Sequence, residues 1–494
     1  MTRGGILLAT INAKWIHPSL ALRLLKANLG PLSENCEIVE FALRQPLREK
    51  LEPILESRPR ILGLSVSIWN LTATVELLKE LAKIWDGAGE VSRPFVVLGG
   101  PEVSYLPTDA EIFEYADYCV RGEGEIVFGK LCDIVFSGKA GNIADLHSNG
   151  ECAVVDLGEL KSGYALYTDE DLQRKLTYVE ASRGCPYSCG FCLSANHGDN
   201  PKIPRVREFP LEPFLREMNE LITRGAKTFK FLDRSFNLDI ARANRIMDFF
   251  LDRLAVERSD KNGQYKPPFT VHFEMVPSRF PPELIQTIAR FPPGSLRLEI
   301  GIQTLNPDVS SHINRLSDPP RELEILRRLR SETNAIIHAD LIAGLPSEDM
   351  VSFGNGFDIL WEALFPPTDS AKNYPLVEVQ LGILKLLPGA PIARHSEAFG
   401  MRYDTKPPYE VTETAAISAR DLGRIKNFAR FWELIVNRGI ADVGPAPIFD
   451  RFMALSDLLL ARFGRNWGIA KADLLLALHE VAPTYGLRNF WGTA

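Results

Sequence analysis

The chain has no apolar run long enough to cross a membrane, for which about 20 consecutive apolar residues are needed. Its opening stretch, MTRGGILLATIN, turns polar after about six apolar residues and lacks the cleavage region of a signal peptide, so a cytoplasmic protein is expected. It also lacks an excess of positive charge. Lys and Arg number 56 against 63 Asp and Glu, a formal net charge of −7, which leaves no electrostatic footprint for nucleic acid. Histidine is scarce, with eight residues, and so is cysteine, with seven. An odd number of cysteines without disulfide-like spacing fits a reducing compartment. Cys36, Cys119, Cys132 and Cys152 stand singly, so metal chemistry can be assembled in only one place. What is present is ordinary for a globular protein: 45% hydrophobic and 24% charged residues over 494 positions, a length that implies roughly two to four domains.

That one place is RGCPYSCGFC, residues 183–192, where Cys185, Cys189 and Cys192 follow a C-x3-C-x2-C spacing. Soft thiolates select iron–sulfur clusters, zinc or copper(I). Structural zinc and electron-transfer clusters take four protein ligands, and no fourth cysteine lies nearby. Three ligands on a four-iron cluster leave one iron open. With Phe191 just before the last cysteine, the motif resembles the signature of radical SAM enzymes. The resemblance implies a [4Fe-4S] cluster on these cysteines and S-adenosylmethionine (SAM) on the open iron, cleaved by electron transfer to a 5′-deoxyadenosyl radical.

The first 150 residues alternate strand and helix signals. Strands are expected at 5–11, 36–41, 60–67, 95–98 and 118–120, with Ser19 as a helix N-cap and a long amphipathic helix over 71–85. Continuous apolar strands such as RILGLSVS point to a parallel sheet buried on both faces, whose ligand sits beyond the carboxyl ends of the strands. Ser65, Ser67, Trp69, Gly99, Gly100, Gly122 and Glu123 gather at those ends. The segments Gly63-Leu64-Ser65-Val66-Ser67, Val97-Leu98-Gly99-Gly100-Pro101-Glu102 and Gly122-Glu123-Gly124-Glu125 resemble those of the flavodoxin-like (Rossmann-type) cobalamin-binding domain that precedes the radical SAM domain in one subclass. The resemblance implies cobalamin contacts from Ser65, Ser67, Trp69, Gly99, Gly100, Pro101, Glu102, Gly122 and Glu123. Many such domains carry D-x-H-x-x-G in the first strand–helix loop. Here Trp15-Ile16-His17-Pro18-Ser19-Leu20 keeps only the histidine, so His17 is a lower ligand of cobalt, a contact of another part of the cofactor, or an ordinary loop residue.

Residues 146–172 read as a linker. Beyond it, strands at 178–182, 228–232, 270–275, 297–302, 336–342 and 377–384 alternate with helices at 211–224, 240–254, 282–291, 307–311, 321–333 and 350–364. Six repeats fall short of a closed eight-stranded barrel and match the partial (β/α)6 barrel of radical SAM domains. Its polar strand ends resemble the family's SAM contacts. Asp233 would meet the amino group, Glu299 and Gln303 the ribose and carboxylate, and Gly344 would border the adenine, with Phe191 in the cysteine loop. His272 and Glu274 share the third strand; His197, Arg205, Arg207, His338 and His395 are further polar candidates, and none is assigned as a base.

Apolar periodicity at 416–436, 449–463 and 469–481 predicts a helical tail with Trp432, Trp467 and Trp491 available for packing. The expected fold class is therefore α/β: a cobalamin-binding domain over 1–145, a linker over 146–172, a radical SAM barrel over 173–400 and a helical C-terminal domain over 401–494. The stretches FEMVPSRFP, EIGIQTLNP and HADLIAGLP resemble B12-binding radical SAM proteins of a subfamily whose C-terminal domain has no assigned function (DUF4080-like). The implied activity is methylation of an unactivated carbon on an unknown small-molecule or peptide substrate, with a flavodoxin- or ferredoxin-like reductant. Radical cyclisation, rearrangement or redox chemistry without methyl transfer is the alternative, and a non-catalytic cobalamin or SAM sensor is the second.

Overall fold

The computed structural model describes residues 4–87, 92–138, 153–195, 204–255, 266–365 and 377–488. His197 and Trp491, named above, lie outside them.

The N-terminal unit is a five-stranded parallel sheet in the order β2-β1-β3-β4-β5, formed by β1 (Ile6–Asn12), β2 (Cys36–Ala42), β3 (Ile61–Ser65), β4 (Phe95–Gly99) and β5 (Tyr118–Val120). Every residue of β1 is buried, as expected where helices cover both faces. Helices α1 (Leu20–Ala27) and α4 (Glu125–Ser137) pack on one side, and α2 (Leu47–Ser57) and α3 (Leu71–Gly87) on the other. Ser19 caps α1, its hydroxyl accepting from the Leu22 N–H at 3.3 Å, a contact typically worth about 1 kcal/mol.

The second sheet is also parallel, in the order β13-β12-β11-β10-β9-β6. Its strands are β6 (Thr177–Val179), β9 (Thr228–Phe231), β10 (Thr270–Met275), β11 (Leu296–Gln303), β12 (Ile336–Ala343) and β13 (Val377–Ile383). Helices α6 (Leu211–Thr223), α7 (Ile240–Leu254), α8 (Pro282–Ala289), α9 (Pro307–His312), α10 (Pro319–Glu332) and α11 (Met350–Leu364) connect them, after a short α5 (Asp169–Arg174). Side chains alternate strictly along these strands. Phe229, Phe231, Val271, Phe273, Leu298 and Ile337 are fully buried toward the helices. Lys230, His272, Glu274, Glu299, His338 and Asp340 occupy the intervening, partly exposed positions. The result is a six-stranded open barrel with a charged interior.

Two expectations change. The strand expected at 178–182 is split: β6 ends at Val179, and Ser182–Gly184 (β7) pairs antiparallel with Val206–Glu208 (β8). The chain leaves the sheet because other partners take its backbone donors. Glu180 N–H bonds the Tyr164 hydroxyl at 3.1 Å, and Ala181 N–H bonds Asp233 at 2.9 Å. Within the expected linker, residues 153–172 are built into the fold. Tyr164, Tyr167 and Leu172 are core residues, Thr168 and Asp171 form a capping box on α5, and Asp171 pairs with Arg23 at 2.9 Å.

The C-terminal part carries a short antiparallel pair, β14 (Arg402–Tyr403) and β15 (Val411–Glu413), followed by α12 (Ala419–Trp432), α13 (Phe449–Phe463) and α14 (Lys471–Tyr485). Trp432 is fully buried against Phe357, Trp361 and Phe428, whereas Trp467 is 66% exposed and does not serve the packing expected of it.

Candidate functional site

The cysteine loop begins where β7 ends, and three elements hold it. Asp233, at the end of β9, accepts from Ala181 N–H at 2.9 Å and from the Ser182 hydroxyl at 2.6 Å. It is 2% exposed, and burial pushes its carboxyl up to about 6. Expected as a contact of the SAM amino group, Asp233 here also anchors the approach to the loop, each of its oxygens accepting one hydrogen bond. Next along the chain, the Ser235 hydroxyl lies 3.7 Å from Cys185 Sγ. The loop after α9 clamps the far side: Gly190 N–H bonds Ile313 C=O at 2.7 Å, and Asn314 Nδ2 donates to Ser188 C=O at 3.0 Å. Arg315 donates to Gly301 C=O and stands beside Cys189. Burial raises the Cys189 thiol and this guanidinium opposes it. Sequence reading missed Arg315, although INRL follows the Gln303 segment at a spacing that one helix spans.

Cys185, Cys189 and Cys192 are unpaired and partly exposed. Among the described residues no group of three or more His, Cys, Asp or Glu converges to hold a single metal ion. Three soft thiols carried by one loop are a donor set that suits an iron–sulfur cluster.

Inside the barrel, Glu299 Oε2 lies 3.0 Å from His272 Nε2 and 3.4 Å from Lys230 Nζ. Burial alone would raise this carboxyl; the hydrogen bond to His272 and the charge of Lys230 bring it down to about 2. Glu274, by contrast, is pushed up to about 7 by burial, with Arg234 3.9 Å away. Gln303 closes β11 with a φ of 70°, at an irregularity in the pairing with β12. Phe191 and Ile342 line a cavity of about 660 Å³ beside β13. Gly344 has a φ of 84°, and a Cβ there would come within 2.4 Å of Val411, so the glycine makes room for the C-terminal part as well as the turn.

A second cavity, of about 480 Å³, lies between the N-terminal sheet and helices α1 and α4. Ser65, Gly99, Gly100, Pro101, Gly122 and Glu123, all among the residues expected to contact cobalamin, line it. Gly100 has a φ of 109°, and a Cβ there would meet Val66 O at 2.5 Å, so only glycine allows this loop to pass so close. Ser104, unmarked in the sequence, ties the two loops together, donating to Gly100 C=O at 2.8 Å and accepting from Gly122 N–H at 3.1 Å.

Four expected cobalamin contacts do not line this cavity. His17 shares a 2.7 Å hydrogen bond with the Tyr178 hydroxyl on β6. Ser67 N–H bonds the Asn70 side chain at 2.8 Å in a helix-opening turn. Trp69 is 51% exposed and donates to Ile11 C=O at 3.2 Å. Glu102 is buried and accepts from the Tyr409 hydroxyl at 2.7 Å. Glu123, although it lines the cavity, is paired with Arg207 at 3.0 Å.

The two sites adjoin. Glu180, Arg183, Leu232 and Arg234, all from the barrel side, complete the wall of the N-terminal cavity. Arg183, two residues before Cys185, reaches Glu125 at 2.7 Å and Glu180 at 2.6 Å, and Arg207 holds Glu123 and Val155 C=O. The Gly122–Glu125 loop is thus bolted to the β7–β8 hairpin that delivers the cysteines.

Comparison with known proteins agrees with this layout. Residues 6–131 match the B12 binding domain and residues 179–355 the Radical SAM superfamily. The chain therefore carries a B12 binding domain followed by a Radical SAM domain. It is 24% identical over 390 residues to the cobalamin-dependent radical SAM methyltransferase TokK of Streptomyces tokunonensis, covering 74% of this chain and 52% of that protein. The chain thus spans about half the length of this curated relative. Among solved structures, TsrM of Kitasatospora setae, a radical SAM methyltransferase with cobalamin and a [4Fe-4S] cluster bound, superposes with a TM-score of 0.59 at 20% identity over 82% of this chain and 78% of that one. The cobalamin-dependent SAM radical enzyme OxsB superposes with a TM-score of 0.62 at 16% identity, covering 97% of this chain and 75% of that one.

Proposed function

We propose that the protein is a cobalamin-dependent radical SAM enzyme that methylates an unactivated carbon. The observation that carries this reading is the shared wall. Residues flanking the cysteine loop, Arg183 and Arg234 above all, also line the N-terminal cavity, so a substrate between them would meet both sites. The glycine-lined cavity suits the nucleotide arm of cobalamin, the three free thiols suit a cluster with one open iron, and the polar strand ends suit SAM. When bound, the cluster and SAM supply a radical that takes hydrogen from carbon, and cobalamin supplies a methyl carrier.

The chain's own contribution is placement. Asp233, Gly190 and Arg315 fix the cysteine loop. The charged barrel interior, with Glu299 ionised and Glu274 titrating near neutrality, binds and orients polar groups. Cavity walls and the C-terminal helices exclude water. A small one-electron carrier of the flavodoxin or ferredoxin kind would serve as reductant. Placement in the subfamily with an unassigned C-terminal domain is part of the same proposal. The test is incubation of reconstituted protein and strong reductant with methyl-labelled SAM and candidate substrates. The expected result is carbon-bound label in a product, and turnover without label would favour cyclisation, rearrangement or redox chemistry.

A further inference from the structure

The open barrel ends at β13, whose outer side is a sheet edge. Asn437, in the π-helical turn Glu433–Asn437 after α12, covers one end. Its amide accepts from Val379 N–H at 3.2 Å and donates to Val379 C=O at 3.1 Å, imitating a neighbouring strand. Alternation along the strand then turns the N–H and C=O of Leu381 and Ile383 the same way. Leu384 N–H, of the opposite parity, bonds inward to Ala343 C=O at 3.0 Å. At the other end Leu384 C=O receives Val411 N–H at 2.8 Å, and Leu386 N–H bonds Tyr409 C=O at 2.9 Å. Between these two covers, no described residue takes up the outward backbone groups of Leu381 and Ile383.

The 660 Å³ cavity opens along this gap, from Phe191 and Ile342 at one end to Glu433 and Asn466 at the other. Its Phe191 end belongs to the SAM reading above; the remainder does not. Lys385, Lys426 and Arg430 line it against Glu410 and Glu433. Lys426 pairs with Glu410, and Glu433 with Arg438 at 3.2 Å. Arg430 donates to Asn466 C=O at 3.2 Å. Among the described residues neither Arg430 nor Lys385 meets a carboxylate, a local surplus of positive charge in a chain of net −7.

We propose that this groove binds an extended polypeptide segment with an acidic side chain, which adds to β13 as a seventh strand and is directed toward Phe191. Backbone pairing at a free edge gives affinity independent of sequence, and the two cations select the acidic residue. A small anion would use the cations and leave the edge untouched. That the bound segment is the substrate rests on the proposed function; that it binds does not.

The test is selection of short random peptides displayed on phage against the wild-type holoprotein and a Lys385→Glu/Arg430→Glu variant. Wild type should enrich acidic, β-branched peptides that bind the variant roughly tenfold more weakly. A copy of the best peptide N-methylated at alternate residues should lose a similar factor. Equal enrichment on both proteins, no enrichment, or undiminished binding of the N-methylated copy would overturn the proposal, the last pointing to a simple anion site. Iron content and reductive SAM cleavage of the same preparations show that the variant is folded. They also report on the proposed function separately, since cleavage that persists without peptide binding removes only the groove.

Discussion

Asp233 shows how a single side chain can be picked out from sequence while its partners in the fold stay hidden. Its strand-end position was legible; the direction of its carboxylate was not, because that depends on residues 180–182 leaving the sheet and offering their donors. With its carboxyl raised to about 6, the folded protein binds more protons than the unfolded chain between roughly pH 4 and 6. Stability should therefore fall by up to about 3 kcal/mol as pH rises across that window. Asp233→Asn should remove this slope, which urea unfolding of both proteins at several pH values would measure. Asp233→Ala, which strips a buried N–H of its partner, should cost about 1–3 kcal/mol and lower iron incorporation. The cysteines were legible through a motif, since C-x3-C-x2-C with Phe191 resembles the radical SAM signature and residues 179–355 match that superfamily. Cys185→Ala should abolish iron incorporation while leaving hydroxocobalamin binding intact, as equilibrium dialysis can check. Glu102 and His17, like Asp233, were recognisable as polar loop residues. Their partners, Tyr409 and Tyr178, lie 307 and 161 positions away, where no local pattern could point to them.

Among the elements, the β7–β8 hairpin and the Gly122–Glu125 loop form the joint between the two halves. Partly buried ion pairs such as Arg207–Glu123 and Arg183–Glu125 are weak evidence of net stability, but removing one partner strands the other. Glu123→Ala should therefore lower stability by about 3 kcal/mol and weaken hydroxocobalamin binding with little change in iron content, whereas Glu123→Ala combined with Arg207→Ala should recover part of the loss. Differential scanning calorimetry and cobalamin titration would read both. Strand and helix positions were mostly legible within two residues, because apolar periodicity sets them. The hairpin was not, because three-residue strands paired across the cluster loop leave no period to read. Nor was the ordered course of residues 153–172, which is held by Tyr164, Tyr167 and the α5 capping box under a composition that looks like a linker.

Across the whole molecule, a doubly wound sheet and an open barrel face each other, and the C-terminal part covers the two ends of the β13 edge. Among the described residues, one cavity is walled by Arg183 just before the cysteine loop and another by Phe191 within it. That arrangement was anticipated in outline from three motif sets in fixed order, while the shared wall of Arg183, Leu232 and Arg234 emerged only in three dimensions. In the proposed enzyme, one chain holds a radical-generating cluster beside a cobalamin site. This is tested most directly by reconstituting the protein with iron, sulfide and hydroxocobalamin, adding SAM and a strong reductant, and measuring 5′-deoxyadenosine. Near-stoichiometric cobalamin together with 5′-deoxyadenosine formed by wild type, but not by Cys185→Ala, is the predicted result. Equal iron in wild type and Cys185→Ala, or bound SAM that stays intact under reduction, would contradict it.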